Sequence, residues 1–241
     1  MSGELAYLLA VAGGVAAAFG AARVFPEPPD ALPEALALRV RRAALVGGVL
    51  GAYLVELPAD LLGWSAPAAR GLVPLGGRTV LGGLLGGWGA VELTKARAGF
   101  RGATGDRFAV PLAVAMVFGR LGCVLRGCCE GVPLPDDAAL GTLGRALHGD
   151  SRVPAALMEA WFHALAIPLL LVLRARGAAR GARLALYLAA YAMVRFALEE
   201  VRAHPRVLLG RTYYQLLALG LFVLAAGTAV RRLWRTKRTT C

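Results

Sequence analysis

Charge is scarce in this chain of 241 residues: Asp, Glu, Lys and Arg make up 17% of it. Soluble domains average about 25% charged. Acidic residues are the scarcer kind, 15 against 27 basic ones, for a net charge of +12. Histidine occurs three times and cysteine four times, with three of the cysteines inside Cys123–Cys129. That usage excludes a disulfide framework. Aromatics are few at 7%, and the arginines are not interleaved with them, so a nucleic-acid interface is excluded despite a pI near 10.6. The first apolar stretch, Leu5–Val24, lacks a basic leader and an Ala-x-Ala site. It is expected to be a first membrane span and not a cleaved signal.

Apolar sequence is what the chain has in plenty: 58% hydrophobic, with a mean hydropathy of +0.60. It is concentrated in long runs such as Ala43–Val55, Leu157–Leu173 and Leu216–Val230. A soluble core needs no such blocks. The expected fold is all-α, a polytopic membrane helix bundle of about seven spans. These are placed at 4–24, 43–64, 71–93, 107–126, 153–174, 182–200 and 212–231, each near the roughly 20 residues that cross a bilayer. The whole of 1–241 is expected to be a single integral membrane domain. Basic residues fall in alternate connections: Arg39, Arg41 and Arg42; Lys95, Arg97, Arg101 and Arg107; Arg174, Arg176, Arg180 and Arg183; and the tail from Arg231 to Arg238. The positive-inside rule then puts the N-terminus outside and the C-terminus in the cytoplasm. On that reading 127–152 is an outward-facing loop, with a short helix from Asp137 to Leu147 capped by Asp136 or Asp137. Residues 232–241 form a basic cytoplasmic tail.

Charged residues inside the spans need a reason, since each costs about 2.5–3.5 kcal/mol to insert at a helix centre. Glu56, Asp60, Arg78, Arg120, Glu159, Arg195, Glu199 and Arg202 are such residues, and the topology above puts all of them in the outer half of the membrane or at its outer surface. Tyr187, Tyr191, Arg195 and Glu199 recur every four residues, with Arg202 three further on, which makes one stripe along a helix. An intrahelical ion-pair ladder accounts for Arg195 and Glu199 alone. Arginines arriving from other helices at the same depth suit an anion, and the anion at hand is a lipid phosphate. Gly82, Gly83, Gly86 and Gly87 are spaced for close helix packing. Gly76 and Gly77, ahead of Arg78, suit either packing or approach of backbone to a head group. In Gly119–Gly131 the thiols of Cys123, Cys128 and Cys129 lack the spacing of a zinc site, so no metal and no cofactor is expected. A disulfide or an exchange-active thiol stays open there. His148, His163 and His204 are scattered and carry no evident role.

Three segments taken in order resemble the bacterial prolipoprotein diacylglyceryl transferases. Gly76-Gly77 through Gly82-Gly83-Leu84 is similar to that family's Gly-Gly-x-x-x-His-Gly-Gly-Leu. Gly119-Arg120-Leu121-Gly122 through Gly131 resembles its Gly-Arg-x-Gly-Asn-x-x-Asn-Gly-Glu-x-x-Gly. Tyr191, Arg195, Glu199 and Arg202, followed by Gln215, resemble its Tyr-x-x-x-Arg-x-x-x-Glu-x-x-Arg helix. Arg152-Val153-Pro154 through Glu159 is weakly similar to a fourth stretch. The departures are Leu81 where the family has histidine, Cys123 and Arg126 in place of two asparagines, Cys128 in place of glutamate, and Val153 and Ala156 in place of histidine and glutamine.

The resemblance implies a transferase of the bacterial inner membrane. It would move diacylglyceryl from phosphatidylglycerol to the cysteine thiol of a lipobox-bearing precursor protein. It implies catalytic roles for Arg120, Arg195, Glu199 and Tyr191: the two arginines on the phosphate, Glu199 holding Arg195, and Tyr191 donating to the lipid. It implies substrate contacts for Gly76, Gly77, Arg78, Gly119, Gly122, Arg126, Gly127, Cys128, Glu159, Arg202 and Gln215. With Leu81 at the histidine position, Glu159 and Glu199 are the candidate bases. Two alternatives remain: a paralogue that lipidates another acceptor, with its cysteines acting covalently, and a non-catalytic phospholipid-binding protein.

Overall fold

A computed structural model describes residues 3–26, 32–65, 78–135 and 137–239, without the side chains of His148 and of residues beyond Arg235. The fold is helical. Its helices are α1 (Gly3–Val24), α2 (Glu34–Leu54), α3 (Leu57–Leu61), α4 (Val80–Arg97), α5 (Asp106–Arg126), α6 (Ala139–His148), α7 (Ala155–Ala175), α8 (Arg183–Leu198) and α9 (Tyr213–Thr239). The only strands among the described residues are β1 (Arg206–Leu208) and β2 (Arg211–Thr212), an antiparallel hairpin. Leu209 and Gly210 turn it with φ of 51° and 68°, as a two-residue hairpin loop of primed type requires.

Among the described residues, five helices are long and apolar enough to cross a membrane: Gly3–Val24, Glu34–Leu61, Asp106–Arg126, Ala155–Ala175 and Tyr213–Arg235. The all-α membrane bundle is as expected, with five such helices seen where about seven spans were expected. The third expected span begins in residues outside those described, and the part seen, α4, ends in Glu92, Lys95 and Arg97. The sixth, α8, has 16 residues. Leu8, Phe19, Val46, Leu165, Met193 and Val223 stand exposed on these helices, as lipid-facing side chains do.

Several boundaries also differ from expectation. Helix α2 begins at Glu34, so Arg39, Arg41 and Arg42 lie on its exposed face and not in a loop. Pro58 sits in the first turn of α3, where its missing N–H is tolerated, and so divides the second expected span. Helix α6 starts at Ala139 with no side-chain cap; the Ala138 amide donates to the Pro135 carbonyl at 3.1 Å, a turn that takes the place of the aspartate cap. Asp136 lies outside the described residues. Helix α9 continues through the expected tail to Thr239.

The chain divides into two compact units. The first comprises Met1–Glu27, Thr104–Ala203 and Phe222–Cys241; the second comprises Pro28–Ala103 and His204–Leu221. In the second unit α2 and α4 meet through glycine. A Cβ on Gly82 would lie 2.5 Å from the Gly51 carbonyl oxygen and 2.7 Å from Val55, and a Cβ on Gly86 would lie 2.7 Å from the Gly51 Cα. Small residues let the two backbones touch, the packing that stands in for hydrophobic drive between membrane helices. In the first unit α1 lies along α5, with Gly14 under Phe118 and Gly122 under Tyr7 and Ala10. Asp106, in the first turn of α5, accepts hydrogen bonds from the Gly181 amide at 2.6 Å and the Arg183 amide at 3.0 Å, which sets the start of α8.

Candidate functional site

Helices α5, α7 and α8 of the first unit bring their buried polar residues together around one carboxylate. Glu159 lies one turn into α7, fully enclosed. Its Oε2 is 2.7 Å from Arg120 Nη2 and accepts the Tyr191 hydroxyl at 3.0 Å. Its Oε1 accepts Arg202 Nη2 at 2.5 Å and is 3.8 Å from Arg195 Nη1. Arg120 Nη2 also donates to the Tyr191 oxygen at 3.2 Å, and Arg195 Nη1 donates to Glu199 Oε2 at 2.6 Å. Three guanidiniums therefore face two carboxylates. All five side chains are under a tenth exposed.

Such a cluster is stable only if each ion is paired, since the uncompensated cost of burying one is several kcal/mol. The pairing is incomplete at two donors: Arg120 Nε and Arg202 Nε are buried and make no hydrogen bond among the described residues. These are buried N–H groups of fixed direction, the kind of donor that an anionic oxygen satisfies.

The local backbone explains how Arg202 reaches this point. Helix α8 ends at Leu198, Glu199–Val201 form a 3-10 turn, and Arg202 is extended, at φ −101° and ψ 148°. The single helical stripe expected from Tyr187 to Arg202 is thus corrected at its end. Tyr187, Tyr191 and Arg195 share the buried face of α8, Glu199 caps it, and Arg202 arrives from beyond it.

Not all of the expected substrate contacts join the cluster. Arg126 is turned to α1, 3.4 Å from Glu4 and stacked on Tyr7 at 5.7 Å. Gly122 is a packing residue against the same helix. Gly119 has open space where a side chain would stand, and Gly127 takes φ 67° at the end of α5. Arg78, of the second unit, is exposed and lies 5.7 Å from the Tyr53 ring centre. Gln215, also of that unit, is fully buried and forms a capping box: its Oε1 accepts the Thr212 amide at 3.1 Å while Thr212 Oγ1 accepts the Gln215 amide at 3.1 Å. The Thr-x-x-Gln spacing was readable as a helix start. Gly76 and Gly77 lie outside the described residues. Glu56 accepts the Tyr214 hydroxyl, and Asp60 accepts the Ser65 hydroxyl at 2.8 Å.

Two features escaped the sequence reading. His163, four residues after Glu159 and so on the same face of α7, is fully buried; its Nδ1 is 2.8 Å from the Tyr187 hydroxyl and its ring centre 4.8 Å from that of Tyr191. The signal was the Glu-x-x-x-His spacing. The second feature is the thiols. Cys123, Cys128 and Cys129 hold their sulfurs within 4.8 Å of one another, although their spacing in the chain matched no metal pattern. The end of α5 folds them together: the Gly127 amide donates to the Val124 carbonyl and the Cys128 amide to the Cys123 carbonyl, both at 3.0 Å, which returns Cys128 over Cys123. Hydrogen bonds from Cys123 and Cys128 hold the Cys129 thiol well below the ordinary thiol range, with Arg202 and Arg120 adding to the shift, while Cys128 is pushed up by its hydrogen bonds to Cys123 and Cys129.

The family model of prolipoprotein diacylglyceryl transferase matches residues 5–231. The chain belongs to that family. Among curated proteins none matches it. Family membership makes this a multi-pass bacterial membrane protein with a transferase-like function, whose family acts on lipid and lipoprotein precursors.

Proposed function

We propose that the protein transfers a diacylglyceryl group from phosphatidylglycerol to the cysteine thiol of a lipoprotein precursor in the bacterial inner membrane, with its N-terminus outside and its C-terminus cytoplasmic. One observation carries the reading: three buried arginines gather on a single carboxylate and leave Nε donors of Arg120 and Arg202 unmatched. A lipid phosphodiester supplies the anionic oxygens for these donors. As the glyceryl C–O bond breaks, charge builds on the departing phosphate, and fixed, buried guanidiniums stabilise that charge more than the ground state. Glu159 and Glu199 orient Arg120, Arg202 and Arg195 beforehand. Tyr191, held between Arg120 and Glu159, offers its hydroxyl at the same point.

The test is the mass of a lipobox peptide incubated with purified protein in phosphatidylglycerol vesicles. The peptide should gain a diacylglyceryl group, and Arg120→Ala, Arg195→Ala and Arg202→Ala should abolish the gain. An unchanged peptide mass with folded protein overturns the reading. The tight pairing of Arg120 and Arg202 with Glu159 favours a second reading, a phospholipid-binding protein without turnover. It requires retained phosphatidylglycerol in the purified protein and no transfer to any thiol acceptor.

A further inference from the structure

We propose that Cys123, Cys128 and Cys129 form a three-thiolate site for one Zn(II) ion, whose fourth position takes the thiol of the acceptor peptide. The second half rests on the transferase reading above; the first does not.

Geometry comes first. Zinc held by thiolates at about 2.3 Å in a tetrahedron puts neighbouring sulfurs roughly 3.8 Å apart. The three sulfurs already lie within 4.8 Å of each other, about 1 Å from the spacing such a site needs. They are free thiols. The backbone is committed to this arrangement. Gly127 takes the left-handed conformation that ends the helix, and Cys129 takes φ 65°, a conformation with a cost of about 1–3 kcal/mol for a residue with a side chain. Two departures from helical backbone in three residues serve to bring side chains 128 and 129 back onto Cys123.

Charge comes next. Zinc with three thiolates carries a net charge of −1, which a low-dielectric site does not accept alone. Arg120, buried one turn before Cys123 on the same helix, supplies a balancing cation. Among the described residues, the group of ligands is the three cysteines and no histidine or carboxylate. A three-ligand site with an open position is the form of zinc used for chemistry, and a closed four-ligand site the structural one. Cys123 is buried, Cys128 half-buried and Cys129 exposed, so the cluster reaches the surface on its Cys129 side.

The chemistry answers a need of the family reaction. Position 81, where the family has histidine, is a fully buried leucine. A thiol bound to zinc loses its proton at neutral pH to solvent, without a protein base. The bound thiolate sulfur then attacks the glyceryl carbon of the lipid. A C–S bond forms, the C–O bond to phosphate breaks, and its electron pair leaves with glycerol phosphate. No oxidant or reductant is involved.

The full chain, purified under reducing conditions without chelator, is titrated with Zn(II) against a chromogenic competitor, and thiol alkylation is followed in parallel. Wild type and Cys241→Ser should bind one zinc per chain and have three thiols protected from alkylation. Cys128→Ser and Cys129→Ser, both at the open side where folding is least at risk, should bind on the order of tenfold more weakly or worse. Three reactive thiols in folded wild type with zinc present overturn the site. Peptide lipidation is then measured before and after chelation. Loss on zinc removal with recovery on adding Zn(II) alone supports the acceptor role. Undiminished transfer by the zinc-free protein overturns that role. Absence of transfer in the zinc-loaded protein overturns the transferase reading and leaves the metal site standing on its binding data.

Discussion

Arg120 and Glu159 face each other across α5 and α7 at 2.7 Å, both enclosed, with Tyr191 bridging them from α8. This pair joins three helices at one point, so its loss is felt in both stability and function. Glu159→Gln keeps the shape and removes the charge on which three guanidiniums depend. We expect a loss of about 3–5 kcal/mol, the usual consequence of leaving buried charges unpaired. Thermal unfolding in detergent should show it as a lower midpoint, and an unchanged midpoint would remove Glu159 from the centre of the cluster.

Arg195→Lys separates charge from geometry. Lysine keeps the positive charge but not the planar fork that donates to Glu199 at 2.6 Å. Stability should fall by about 1–2 kcal/mol, while peptide lipidation should drop far more than binding of phosphatidylglycerol. Equal losses in both assays would assign Arg195 to ground-state binding alone.

The α2–α4 contact allows a sharp packing test within the second unit. In Gly51→Ala the new methyl meets the Gly82 carbonyl oxygen and lies 2.7 Å from the Gly86 Cα, so backbone must shift. A loss of about 1–3 kcal/mol is expected. Gly89→Ala, where nothing stands within 4 Å, should be neutral in the same unfolding assay.

Asp106 organises the first unit by holding two backbone amides at the start of α8. Asp106→Ala leaves both without their charged acceptor and should cost about 2–3 kcal/mol. Asp106→Asn, which keeps one acceptor oxygen, should lose less. Hydrogen exchange at Gly181 and Arg183 reports the effect locally, and equal protection in the two variants would refute it.

At Gln215 the capping box makes a narrower prediction. Gln215→Ala should cost about 1 kcal/mol, the ordinary worth of a cap, whereas Gln215→Glu, which keeps the acceptor oxygen but puts a charge at a fully buried position, should lower the unfolding midpoint further.

Membrane character was legible in the sequence because a span is a matter of length and composition, and α1, α5 and α7 fall within a few residues of their expected places, as does the start of α9. The polar stripe of α8 was legible for the same reason: a four-residue period is local. Where expectation failed, the cause was a local feature with a non-local result. Pro58 broke the regular helix near the end of the second span, and a 3-10 turn took Arg202 off the helix that periodicity had assigned it to. His163 was passed over because one histidine in an apolar helix carries no signal until Tyr187 is found beside it.

Hydropathy and charge placement, read along the chain, settled that this is a helical membrane protein, because the bilayer imposes one length and one composition on whatever crosses it. Short motifs along the same chain pointed to its family. Which buried ions pair, and around what, was decided only in three dimensions. Arg120, Glu159 and Arg195 lie 36 or more residues apart in sequence, and only helix packing makes Glu159 their common partner. The thiols tell the same lesson on a smaller scale: spacing separated Cys123 from Cys128, and a left-handed turn at Gly127 brought them together.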